Sequence, residues 1–96
     1  MVDMEISGAS RPTPLDIEVL RILIASAGKI VGRDFIARQS GLDSTSARRV
    51  DASLVAIRRW LGADVLVTVR RRGWMLTTEG HAAAEAFLRQ QVDTSQ

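Results

Sequence analysis

The chain has no cysteine. That excludes a disulfide framework, a zinc–thiolate site and a thiol nucleophile. It has a single histidine, His81, set in an alanine-rich stretch, and its acids are scattered without a paired motif. Neither a P-loop nor a dinucleotide fingerprint occurs. A catalytic centre, a metal site and a cofactor are therefore not expected. No apolar run reaches the roughly 20 residues that cross a bilayer. The first residues, Met1-Val-Asp-Met-Glu5, offer neither a basic start nor an apolar segment, so no signal peptide is expected. These absences suit a cytoplasmic protein with no membrane partner. Lysine is scarce too: of thirteen basic residues only Lys29 is lysine. Arginine is the better reader of grooves and phosphates, although a GC-rich genome gives the same skew.

What is present is a foldable chain. Ninety-six residues at 46% hydrophobic content are enough for one domain with one modest core. Net charge is only +2, but it is unevenly spread. From Arg33 to Arg72 there are nine arginines and four acids, a net of +5. The rest of the chain holds four basic and seven acidic residues, a net of −3. Positive charge is gathered in the middle.

The most informative stretch lies there, from Ser46 to Gly62. Val50, Leu54, Ile57 and Leu61 recur at helical spacing and form a stripe for a core. At about 100° per residue, Arg48, Ala52, Val55 and Arg59 fall on the opposite side. Arginine for guanine edges or phosphates, alanine for close approach and valine for a thymine methyl would suit a DNA major groove. A solvated helix with incidental arginines is the alternative.

In chain order, residues 1–12 read as a flexible lead-in, with Met4 to Ile6 as a candidate edge strand. Thr13-Pro14-Leu15-Asp16 is a helix start: a capping threonine, a proline at the first helical position and an acid placed to complete a capping box. This helix runs to about Ala27 and stops at Gly28. Apolar residues cover most of it, and Glu18 and Arg21 form a narrow polar side, so it is the expected central scaffold. Lys29-Ile30-Val31 is an extended link or one strand of a small sheet. A second helix follows from Arg33 to about Ser40, ended by Gly41, with Leu42 turned back to the core and capping candidates at 43–46. Two helices joined by a short turn, the second basic outside, form a helix-turn-helix pattern.

After Gly62 the residues become β-rich, Val65 to Val69. Arg70-Arg71-Arg72-Gly73 and Trp74-Met75-Leu76 then give a hairpin with three arginines near its tip. A nearby phosphate backbone or minor groove would explain them; a solubilising turn is the alternative. Trp60 and Trp74 are expected to be structural. A further helix spans 77–91, with Ala83, Ala84, Phe87 and Leu88 as its apolar strip. That strip either makes a homodimer or folds back onto its own domain. Residues 92–96 are a tail.

The expected fold is therefore mainly α with a small β-hairpin: a winged helix-turn-helix over residues 13–76, with a three-helix core, a C-terminal wing and an extra C-terminal helix. The residues also resemble the winged helix-turn-helix output domain of OmpR/PhoB-type bacterial response regulators. The similarity runs through Pro12-Thr13-Pro14-Leu15-Asp16, Gly28 to Ile36, Arg48 to Gly62 and Thr68 to Leu76, in the family's order. It implies sequence-specific binding to double-stranded DNA in transcription regulation, and location at the nucleoid when bound. Arg48, Arg49, Ala52, Ser53, Val55, Ala56 and Arg59 would face or flank the major groove, with base readout first by Arg48 and Arg49. Arg70, Arg71 and Arg72 would form the wing contact, and Arg59, Arg71 and Arg72 would favour phosphate. Arg58 is expected to pair with Asp51. The family also contacts RNA polymerase through the turn after its second helix, which is slightly short here.

The chain departs from the family pattern in several places. No phosphoacceptor receiver domain or N-terminal β-sheet is legible. Ser53 and Ala56 stand where the family has histidine and arginine, so the preferred bases should differ. Arg71 replaces the first wing glycine. Two other readings remain: a winged helix that binds an acidic protein partner, and a DNA-packing protein without sequence preference.

Overall fold

The computed structural model describes residues 12–42 and 47–94. Among these residues, four helices and a three-stranded antiparallel sheet make one α+β domain. The elements are α1 (Pro14–Ala25), β1 (Ile30–Val31), α2 (Arg33–Gln39), α3 (Ala47–Leu61), β2 (Leu66–Val69), β3 (Gly73–Leu76) and α4 (His81–Thr94). The candidate strand at Met4 to Ile6 and the capping residues at 43–46 lie outside the described residues, as does most of the lead-in.

The start of α1 is set locally. Thr13 Oγ1 accepts the Asp16 N–H at 3.1 Å, and Asp16 Oδ2 accepts the Thr13 N–H at 2.9 Å. This reciprocal pair is the capping box, with Pro14 at the first helical position where its missing N–H is harmless. The helix closes two residues earlier than expected, and Gly28 then turns the chain at φ +84°. The Gly28 N–H donates to the Leu76 carbonyl at 2.7 Å, tying the end of α1 to β3.

That tie places β1 beside β3. Ile30 pairs with Met75 and Val31 with Trp74, giving the strand order β1-β3-β2. The expected hairpin is therefore the larger part of a three-stranded sheet. Gly73 makes the pairing possible: a Cβ there would sit 2.1 Å from the Val31 carbonyl oxygen. No other residue fits such an approach.

Every element feeds one core. Val19, Leu20 and Leu23 come from α1, Ile36 and Ala37 from α2, and Val50, Leu54 and Ile57 from α3. Val31, Leu66 and Leu76 come from the sheet and Ala84 from α4. As its composition implied, α1 is the scaffold, packing against α2, α3, α4 and β3. Leu42 packs against the core as expected.

The C-terminal helix resolves one alternative. Ala84 is fully buried, Phe87 and Leu88 pack against the core, and Phe87 stacks on Trp60 with ring centroids 5.4 Å apart. The strip folds back onto its own domain. Ala84 is thus taken up by the chain's own core, Phe87 and Leu88 lie partly against it, and Ala83 is exposed. Among the described residues, no helix is long and apolar enough to cross a membrane.

Candidate nucleic-acid interface

Three sides of α3 are occupied and one is not. Val50, Leu54 and Ile57 face the core. One flank lies along the start of α1, where Thr13, Pro14, Arg49, Ala52 and Ala56 border a shallow groove. The other flank faces the sheet across a cleft of about 380 Å³ bordered by Val55, Arg58, Arg59, Thr68 and Trp74. The remaining side presents Arg48, Ala52, Val55 and Arg59 outward, all exposed. Val55 is 59% exposed. A β-branched side chain in mid-helix gains nothing for the fold when water surrounds it.

The charge of this surface is nearly all of one sign. Four arginines and one acid, Asp51, lie on α3. The Asp51 carboxylate is engaged by the Arg33 Nε–H at 2.9 Å. It does not pair with Arg58 as expected. Seven residues along a helix is about 10.5 Å of rise, too far for a side-chain pair, whereas α2 brings Arg33 alongside. The pair is partly exposed and contributes little stability, but it leaves no free carboxylate on α3.

Ser53 does not belong to this surface. It is 3% exposed, and its hydroxyl donates to Asp16 Oδ1 at 2.6 Å. Asp16 is itself buried, so both of its oxygens are used, one on the cap of α1 and one on α3. A buried hydroxyl and carboxylate each need such a partner. Ser53 therefore fixes α3 against α1 and cannot reach a groove. Ala56 is half-buried at the margin, and Arg49 is exposed on the same flank.

The three hairpin arginines lie at the turn between β2 and β3, all exposed. The Arg72 N–H donates to the Val69 carbonyl at 2.9 Å and closes the turn. A second cleft, of about 300 Å³, lies between this turn and the start of α2. Arg33, Arg71 and Arg72 border it, together with Thr68 and Trp74. Thr68 and Trp74 border both clefts, so the surface of α3 continues into the turn without a break. Trp74 also packs partly against the core, as expected.

Arg33, Thr68 and Trp74 are the members that sequence reading did not assign to the surface. One signal was available for Arg33. It opens α2, where the helix dipole favours an acid and disfavours a cation. Elsewhere, His81 Nδ1 lies 3.6 Å from Glu85 Oε1 on the surface of α4. No group of His, Cys, Asp and Glu that could hold a metal ion occurs among the described residues.

Comparison with protein-family models, with curated proteins and with solved structures gives no match.

Proposed function

We propose that this chain is a winged helix-turn-helix transcriptional regulator of the OmpR/PhoB type that binds double-stranded DNA sequence-specifically and is not an enzyme. The helix α3 enters the major groove, and the β2–β3 turn is the wing at the adjacent minor groove. Arg48 and Arg49, at the N-terminal end of α3, read bases first. Ala52 allows close approach, Val55 meets an apolar base edge, and Arg58 and Arg59 hold phosphate. The turn expected to touch RNA polymerase includes residues outside those described.

One observation carries this reading. The side of α3 that the fold leaves open bears arginines around small and apolar residues, and the one acid on α3 is neutralised by Arg33. It runs through two clefts into three more arginines. A duplex matches that pattern of charge along its length.

The test is selection from a random duplex pool at two salt concentrations, run beside an Arg48→Ala/Arg49→Ala double variant. Enrichment of a motif by the native chain, lost or altered in the variant, supports the reading. Salt-sensitive binding with no motif makes the chain a DNA-packing protein, and absence of binding at low salt refutes the DNA reading.

A further inference from the structure

The wing turn carries a backbone anomaly. Among the described residues, Arg71 is the one non-glycine residue with positive φ, at 65°. It holds the third position of the turn closed between Val69 and Arg72, a place where a type II turn favours glycine or asparagine. An L side chain in this region crowds its own backbone and costs stability. Nothing in the fold offsets that cost. Arg71 is exposed and makes no hydrogen bond or ion pair with another described residue.

Its surroundings add a second cost. Arg71 shares the 300 Å³ cleft with Arg33 and Arg72, and no carboxylate borders it. Arg33 spends its Nε–H on Asp51, and that bond leaves its two terminal amino groups out. Arg71 and Arg72 carry like charges, unpaired among the described residues, that repel across the open cleft, and the charge of Arg33 is offset in part by Asp51. An anion in the cleft reverses the sign of that energy, and guanidinium groups match phosphate oxygens closely.

We infer that this cleft seats one backbone phosphate of the duplex that lies on α3, and that Arg71 occupies a glycine conformation because the contact requires its guanidinium. The inference rests on the DNA-binding reading above and adds a register to it. A single phosphodiester held between wing and α2 sets how α3 lies in the groove, and hence which bases Arg48 and Arg49 meet.

The test compares the native chain, R71G and R71K on the selected duplex across a salt series, with thermal unfolding of each. R71G gains a few degrees in Tm as the strain is released. It binds about tenfold more weakly, the worth of one charge-assisted hydrogen bond. Its salt slope falls by about 1. R71K keeps the slope. Duplexes carrying one neutral methylphosphonate linkage each then locate the contact: one linkage weakens the native chain and leaves R71G unaffected. The phosphate seat is overturned by native affinity in R71G, by a fall in its Tm, or by a linkage series that affects both proteins alike. In each of those cases the DNA reading stands, provided that the Arg48→Ala/Arg49→Ala variant still loses the motif. A native chain that binds no duplex overturns both.

Discussion

The helices α3 and α4 are close to the same length and pack on the same core, yet their outer sides differ. The outer side of α4 shows alanines with Glu85, Arg89 and Gln90, a mixture that suits water. The outer side of α3 shows arginines around Ala52 and Val55 with no free acid. The stacking of Trp60 on Phe87 joins the two helices, so both are equally part of the fold. Burial alone therefore does not tell the helix proposed to read DNA from a supporting one. The composition of the side turned away from the core does.

The largest effects should fall on the sides that the two helices have in common. Leu54→Ala is expected to cost about 2–5 kcal/mol, because a fully buried leucine leaves a cavity when truncated. Denaturant unfolding measures it. Phe87→Ala should cost about 3–5 kcal/mol for the same reason, reduced by the partial exposure of the ring. If α4 were dispensable to the core, Phe87→Ala would leave the unfolding midpoint in place.

The outer sides should separate. Arg48→Ala/Arg49→Ala is expected to lower affinity for the selected duplex by about a hundredfold, at about 1–3 kcal/mol for each base contact. Its unfolding free energy should move by less than about 0.5 kcal/mol. Glu85→Ala/Arg89→Ala on α4 should change neither quantity. Equal losses of affinity in the two variants would erase the contrast between the helices.

The join between α1 and α3 comes next in size. Ser53→Ala leaves an oxygen of buried Asp16 without its partner, at about 1–3 kcal/mol. Calorimetric Tm reads the loss. Val55→Ala should have the smallest effect and sharpen the comparison most. It should abolish about a fourfold preference for thymine over uracil in the half-site, the worth of one buried methyl group.

Local features of the fold were readable in the residues because their causes lie within a few positions. The cap at Thr13 to Asp16 is made by side chains three residues apart. The stripe of Val50, Leu54 and Ile57 declares itself by period. What escaped reading depends on partners far along the chain. Ser53 lies toward the core side of α3 on a helical wheel, next to Ile57, but it carries no apolar signal. Its partner is Asp16, 37 positions away. Resemblance to a family that has histidine there placed it in the groove instead. Asp51 met Arg33 through packing of α2 on α3, which no spacing within one helix foretells. Ala83, Ala84, Phe87 and Leu88 formed a strip suited equally to a partner chain or to the chain's own core. The closeness of α1 and Trp60, which draws Ala84, Phe87 and Leu88 toward the core, is not written in the spacing. The three arginines of the β2–β3 turn were plain in sequence, whereas the positive φ of Arg71 was not, since arginine rarely adopts it.

The hydrogen bond from Ser53 to Asp16 also bears on how such a chain can diversify. It anchors α3 through a residue on its inner flank and through the cap of another helix. Arg48, Ala52, Val55 and Arg59 take no part in that anchorage. On the DNA-binding function proposed above, drift at those four positions rewrites the preferred sequence while the orientation of α3 is inherited unchanged. Drift at Ser53 or Asp16 alters the orientation itself, and with it every contact at once. A lineage descended from this domain should therefore vary freely on one side of a single helix and hold fast one step around it.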